Sequence, residues 1–122
     1  MQKTLHPAGW APAKGFSNGI LAEGRQVFVA GQVGWNAEQV FESDDFVAQT
    51  EQALRNIVAV LAEAGAGPEH IVRMTWYVIS KRDYGDRLRQ VGQAYRTVIG
   101  RSFPAMTLVQ AGALGEDRAK AE

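Results

Sequence analysis

Ser17 lies in a glycine-flanked motif of the kind found in serine hydrolases. Residues 15–19 read Gly-Phe-Ser-Asn-Gly, which matches the G-x-S-x-G pattern. In such hydrolases a strand precedes the serine and a helix follows it, so that a strained turn exposes the hydroxyl. Here a loop containing Pro7 and Pro12 precedes the motif, and the strand-like residues 20–22 follow it. The context therefore favours a loop that enters a strand over a catalytic nucleophile.

Two further groups of residues could contact a metal ion or a phosphate. His6 and His70 are the only histidines, there is no cysteine, and no H-x-x-x-H or similar spacing is present. A zinc site needs three or four nitrogen, sulfur or carboxylate ligands. Residues 31–34, Gly-Gln-Val-Gly, are too short and apolar for a phosphate loop, and no helix follows them. We expect no metal site and no cofactor.

Hydrophobic periodicity predicts the elements that must position these segments. Strands are expected over residues 3–5, 17–22, 26–33, 70–80 and 105–109, and a last strand begins at residue 119. One helix should follow the capping residues 43–45 and run to about residue 64, and a second should run from about residue 83 to Gly100. The sequence thus predicts one α+β domain over residues 1–122, with a sheet of five to six strands and two helices on one face.

The strand expected at residues 70–80 is apolar on both of its faces. One face carries Val72, Met74, Trp76 and Val78, and the other carries Ile71, Thr75, Tyr77 and Ile79, with Arg73 the only charge. Two helices about 10 Å wide can cover only one face of such a sheet. Soluble monomers rarely leave a large apolar patch in water. We infer that other copies of the chain cover the second face.

The composition excludes several classes of function. The chain of 122 residues is 46% hydrophobic and 21% charged, and its thirteen basic residues balance thirteen acidic ones. No apolar stretch approaches the roughly 18 residues of a membrane span, and the N-terminus lacks a signal-peptide core. We expect a cytoplasmic protein that does not bind membranes. Six basic residues against two acidic ones between residues 81 and 101 favour a solvated helix face, with RNA binding as the alternative.

Three short segments resemble the RidA (YjgF) family of small trimeric proteins. They are Phe-Ser-Asn-Gly-Ile at 16–20, Val-Phe-Val-Ala-Gly-Gln at 27–32 and Phe-Pro-Ala-Met-Thr-Leu-Val at 103–109. The resemblance extends from about Thr4 to Glu122 and includes the helix-strand-helix block between the last two segments. It implies a RidA/chorismate-mutase-like mixed β-sheet and a homotrimer with ligand clefts between subunits.

The resemblance also indicates which residues line the cleft and how they depart from the family's imine deaminases. It implies ligand contacts from Phe16, Ala30, Gly31, Gln32, Gly92, Met106, Thr107 and Leu108. Met106 replaces the arginine that clamps the substrate carboxylate. At the other positions Phe16 replaces a tyrosine of the deaminases, Ala30 a serine, Gly92 an asparagine and Leu108 a cysteine. Methionine cannot pair with a carboxylate, and burying an unpaired charge costs several kcal/mol. The cleft should therefore be more apolar.

Glu122 is the one catalytic residue that the resemblance implies, because the family's glutamate in the last strand orients the attacking water. The alternative is a solvated carboxylate at the end of the chain. The first functional hypothesis is therefore a homotrimer that binds a small, partly apolar metabolite, with 2-imino acid deaminase activity weak or lost. The alternative is an imine or enamine hydrolase acting on a different substrate, and the second alternative is an RNA-interacting protein.

Overall fold

The computed structural model describes residues 2–122, which form an α+β fold. The strands are β1 (Gln2–Leu5), β2 (Gly19–Ala22), β3 (Arg73–Val78) and β4 (Ala105–Gln110). The helices are α1 (Phe46–Glu63), α2 (Lys81–Asp86) and α3 (Leu88–Val98), with a 3-10 helix at Pro68–His70. Across residues 2–122, no helix combines the length and apolarity needed to cross a membrane.

Helix α1 begins where its capping residues predict. The Asp45 side chain accepts a hydrogen bond of 2.9 Å from the Ala48 amide, one of the amides that a helix start leaves without an internal partner. The same carboxylate accepts a 2.5 Å bond from the Arg87 guanidinium, which holds its pKa below the ordinary value. The helix ends at Glu63 with Ala64 as its C-cap, and Gly65 then adopts a φ of 70°, a conformation that glycine tolerates best. The prediction for this helix is confirmed.

The second predicted helix is in fact two, so the prediction of two helices is wrong in number. The Ser80 hydroxyl accepts a hydrogen bond from the Asp83 amide, which starts α2 at Lys81, two residues before the predicted start. Arg87 departs from helical geometry with φ −117° and ψ 24°, and α3 begins immediately after it. The chain therefore turns between α2 and α3 two residues after Gly85, which lies in the last turn of α2.

The strands form two separate two-stranded sheets within residues 2–122, which differs from the single predicted sheet of five to six strands. β1 pairs antiparallel with β2, and β3 pairs parallel with β4, from Arg73 opposite Ala105 to Val78 opposite Gln110. The predicted last strand is reduced to an antiparallel bridge between Ala121 and Val78. Residues 26–33 are not a strand, because their backbone groups find no ladder partner among the described residues.

One face of β3 forms the hydrophobic core beneath α1 and α3. Met74, Trp76 and Val78 are buried there, and the core residues that the helices contribute include Leu54, Val91 and Tyr95. The opposite face stays open in the single chain, where Tyr77 is 43% exposed and Val109 of β4 is 39% exposed. The prediction that β3 carries apolar residues on both faces, with helices on one, is confirmed. That other copies of the chain cover the second face stays a prediction.

The buried phenol of Tyr95 makes folding sensitive to alkaline pH. Its hydroxyl donates a hydrogen bond to the Ser102 carbonyl, and burial raises the pKa of Tyr95 to about 12, from an ordinary value of about 10. The folded state thus favours the neutral phenol. The resulting stability is complete below about pH 10 and is lost as the pH rises towards the folded pKa.

We therefore expect wild type to lose up to about 2 kcal/mol more unfolding free energy than Tyr95→Phe between about pH 10 and 12. The comparison cancels the contribution of other titrating groups, which both proteins share. Urea unfolding at closely spaced pH values measures the difference. If the unfolding free energies of the two proteins changed with pH in parallel, Tyr95 would have the same pKa in the folded and unfolded states, and the prediction would be wrong.

Candidate functional site

Gly31 and Glu122 meet at one end of the β3–β4 sheet. A Cβ atom added to Gly31 would lie 1.9 Å from the Glu122 Oε2 atom, so the carboxylate in this position packs directly against the Gly31 backbone. The Glu122 backbone is fixed by two 2.8 Å hydrogen bonds with Tyr77, one donated in each direction. Beside Gly31, the Gln32 side chain donates to the Ala30 carbonyl at 3.2 Å. The structure thus brings together four of the predicted site residues.

Two amide side chains of α1 hold the segments on either side of this contact. Gln49, 1% exposed, donates to the Arg118 carbonyl at 3.0 Å and accepts from the Lys120 amide at 2.8 Å. Asn56 donates to the carbonyls of Val33 at 3.0 Å and Trp35 at 2.8 Å. Buried polar groups that are fully bonded position their partners strongly. One helix therefore sets the distance between the Gly31 and Glu122 segments.

Sequence reasoning missed these two amides, which hold the segments that contain Gly31 and Glu122. The apolar positions of α1 predict its packing face, and Gln49 and Asn56 stand seven residues apart near that face. The sequence signal for them is a pair of amide side chains on the packing side of α1, which is otherwise mostly apolar. Their partners lie up to 71 residues away in the sequence, and periodicity carries no information about such contacts.

Met106 and Leu108 lie on the covered face of β4. Met106 pairs with Met74 in the ladder and Leu108 pairs with Trp76, and both pack against the hydrophobic core. Thr107 points to the opposite, open face, where its hydroxyl accepts a 2.7 Å hydrogen bond from the Arg73 guanidinium. Arg73 is therefore already engaged and lies on the wrong face to replace a carboxylate clamp at Met106.

Of the remaining two predicted site residues, Phe16 lies near this second group and Gly92 lies on α3. Phe16 is 40% exposed beside the start of β4, because Ser17 forms a parallel bridge with Ala105. The Ser17 hydroxyl donates to the Phe103 carbonyl at 2.5 Å, and the strand β2 follows without a helix, as the loop interpretation predicted. Gly92 lies on α3, partly buried, where an added Cβ would approach the Arg96 Nη1 atom to 3.3 Å.

Within one chain the two groups of site residues are well separated. Glu122 lies opposite Tyr77, which pairs with Val109 of β4. Two strand spacings and three residues along β4 place the backbone of Met106 about 14 Å from that of Glu122. Residues paired across strands share a face, so Glu122 faces the open side and Met106 the covered side. The predicted cleft between Phe16, Gly31 and Met106 is therefore not formed by a single chain.

The basic residues between 81 and 101 are partly neutralised. Arg87 pairs with Asp45 at 2.5 Å, and Arg82 approaches Asp86 at 3.8 Å on the exposed side of α2. Exposed ion pairs of this kind contribute little to stability, but they reduce the local positive potential that would attract a polyanion such as RNA. This arrangement favours the solvated-face interpretation of the cluster.

Comparison with known proteins identifies relatives along nearly the whole chain. Residues 7–122 match the protein family described as Endoribonuclease L-PSP. A RutC family protein of Pyrococcus abyssi is 32% identical over 95 residues, which cover 77% of this chain and 72% of that protein. The 2-iminobutanoate/2-iminopropanoate deaminase of Mus musculus is 29% identical over 112 residues, covering 91% of this chain and 77% of the deaminase.

A solved structure with the same fold supports these matches. The crystal structure of YyfB, a protein of unknown function in the conserved Rid protein family of Yersinia pestis, superposes with a TM-score of 0.85. Its sequence is 30% identical, and the superposition covers 98% of this chain and 92% of YyfB. Together with the match over residues 7–122, this likeness shows that the chain belongs to the RidA (YjgF) family.

Proposed function

We propose that the protein is a cytoplasmic homotrimer that binds a small, partly apolar metabolite in clefts between its subunits, with standard 2-imino acid deamination weak or lost. The observation that carries the proposal is Met106, which stands on β4 and packs against apolar residues. The resemblance assigns this position to the family's arginine clamp. A bidentate guanidinium is the natural partner of a carboxylate, and a thioether has no hydrogen to donate.

The separation of the two groups of residues supports a site that is shared between copies. One group contains Gly31 and Glu122 and lies at one edge of the sheet, whereas Met106 and Leu108 lie two strands away on the other face. A ligand that touches both groups must lie between two chains. The open apolar face of Tyr77 and Val109 provides the surface on which such chains would pack.

The contact between Gly31 and Glu122 favours a second function, hydrolysis of an imine or enamine whose recognition needs no carboxylate clamp. Glu122 is partly buried, and its carboxylate packs against the backbone of Gly31, in the place that a Cβ atom would occupy. A carboxylate in such a position can accept a proton from an attacking water. The same geometry serves a binding protein, in which Glu122 would accept a hydrogen bond from the ligand.

The first prediction concerns assembly. The protein should have a mass of about 40 kDa in solution, three times that of the 13.3 kDa chain. Val109→Glu should dissociate it into monomers, because the substitution would bury an unpaired charge on the open face. Val60→Glu is the matched control, since Val60 is equally exposed at 38% but lies on α1. Sedimentation of wild type as a monomer at micromolar concentration would contradict the proposed trimer.

The second prediction concerns the missing clamp. Hydrolysis of 2-iminobutanoate, generated in situ by an amino-acid oxidase, should be at least about tenfold slower than with an arginine-containing relative. Met106→Arg should raise the rate only in part, since Phe16 and Ala30 lack the polar groups that complete the site. Thr97→Arg adds the same charge on the exposed side of α3 and should have no effect. A wild-type rate equal to that of the arginine-containing relative would contradict the proposal.

The third prediction separates catalysis from binding. With any imine or enamine that the protein hydrolyses, Glu122→Gln should lower turnover by about 100-fold or more and leave affinity within a few-fold. Glu116→Gln, an exposed carboxylate in the preceding turn, is the control and should behave as wild type. Steady-state kinetics and calorimetric binding measure the two effects. An unchanged turnover would remove Glu122 from the mechanism.

A further inference from the structure

Asn18 is followed by Gly19 at the start of β2, and such a pair can react internally. The main-chain nitrogen that follows an asparagine can attack the carbonyl carbon of its side chain and close a cyclic imide, a succinimide. A glycine at that place leaves the nitrogen unshielded and the backbone free to turn, because it has no Cβ atom. In the rest of the chain an alanine follows Asn36 and an isoleucine follows Asn56. The sequence therefore singles out Asn18.

Hydrogen bonds hold the other two asparagine side chains in place. The Asn36 Oδ1 atom accepts from the amides of Glu38 at 2.9 Å and Val40 at 3.1 Å. The Asn56 side chain donates to two carbonyls of residues 33–35, and its Oδ1 atom accepts a 2.8 Å bond from the preceding turn of α1. Each of these side chains must break two or more hydrogen bonds before it can rotate towards its main chain.

The Asn18 side chain, in contrast, is exposed and held by one hydrogen bond. Its Nδ2 atom donates to the His6 Nδ1 atom at 3.1 Å. His6 keeps this nitrogen as the acceptor, because its Nε2 atom donates to the Trp10 carbonyl at 3.1 Å. The Asn18 Oδ1 atom has no hydrogen-bond partner in the part of the chain that the structure describes. A single exposed contact is readily exchanged for water, so this side chain rotates with little resistance.

The main chain on the reactive side of Asn18 is also weakly held. Gly19 pairs with Leu5 at one end of the β1–β2 ladder, and β1 is exposed along its whole length. Within residues 2–122, neither strand contributes to a hydrophobic core cluster. A two-stranded hairpin is marginally stable on its own, and the ends of elements open first. The Gly19 amide is therefore released at little cost.

We propose that Asn18 is a site of spontaneous deamidation in the folded protein. Water or hydroxide takes the proton of the Gly19 amide, whose nitrogen then attacks the Asn18 Cγ atom. The new C–N bond forms, the Cγ–Nδ2 bond breaks, and Nδ2 leaves as ammonia. Water next opens the ring at either of its two carbonyls, which gives aspartate or isoaspartate. The reaction consumes one water in total and is independent of the function proposed for the cleft.

The product changes both the charge and the main chain beside a predicted ligand contact. One added carboxylate gives fourteen acidic residues against thirteen basic ones, so the formal net charge changes from zero to −1. Isoaspartate also inserts a methylene group into the backbone between Gly19 and Ser17, whose amide donates to the Pro104 carbonyl at 3.0 Å. Phe16 immediately precedes this anchor. The modification therefore loosens the support of Phe16 at the start of β4.

Peptide mapping of the full chain tests the proposal. Trypsin cleaves after Lys14 and Arg25, so residues 15–25 form one peptide that contains Asn18 and no other asparagine or glutamine. After incubation in mildly alkaline buffer, mass spectrometry should show loss of the amide from this peptide, and isoelectric focusing should show a more acidic chain. The rate should lie within about tenfold of that for the free peptide 15–25 in the same buffer. Intact Asn18 in the folded chain, while the free peptide converts, overturns the proposal.

Two variants separate the proposed reaction from slow hydrolysis of any exposed amide. A Cβ atom added to Gly19 would lie 3.5 Å from the nearest atoms of Leu5, an ordinary contact, so Gly19→Ala keeps the hairpin. It should slow conversion about tenfold or more, because the methyl group shields the attacking nitrogen. Asn18→Gln keeps the amide but needs a larger ring, so position 18 should stay unmodified, as should Asn36 and Asn56 in every variant. Conversion of either variant at the wild-type rate also overturns the proposal.

Discussion

Hydrogen bonding along both edges of β3 is the constraint on which the rest of the structure depends. One edge carries β4 in a parallel ladder, and the other carries Ala121 and Glu122 in antiparallel pairing. Because the side chains of a strand alternate, the same six residues also divide the covered core from the open face. A slip of one residue in either pairing would transfer Met106 or Glu122 to the other face.

This arrangement explains how a small chain can hold a defined site. α1 fixes the two flanking segments through Gln49 and Asn56, and Gly31 yields the space that the Glu122 carboxylate occupies. The part of the site that would recognise a substrate carboxylate is apolar and lies on a different face. A neighbouring copy is the simplest source of the complementary half, since cyclic oligomers bring distinct surfaces of identical chains together.

Local signals in the sequence predicted much of the fold. Local sequence predicts the cap at Asp45, the two-sided apolar pattern of β3 and the start of β4, because each depends on residues within one turn or one strand. Residues 26–33 carry an equally good strand pattern, yet pairing also needs a free edge within reach. The break at Arg87 follows Gly85 by two residues, but a single glycine inside a helical pattern does not by itself predict a break.

The site was predictable in part only. The resemblance to the family selected Gly31 and Glu122, which the structure brings into contact. The amides that position them were missed, because Gln49 and Asn56 are recognisable only by partners far away in the sequence. The sequence also gave no indication that Met106 and Glu122 face opposite sides of the sheet, since that relation depends on the registers of two separate pairings with β3.

The central claim is that the site is completed by a second copy, and thiol cross-linking tests it most directly. The chain has no cysteine, so the double variant Met106→Cys with Glu122→Cys carries only the two engineered thiols. These positions are about 14 Å apart and on opposite faces within one chain. A cross-linker shorter than that separation should yield covalent dimers and trimers on a denaturing gel. Monomers alone, with or without an internal cross-link, would contradict the account.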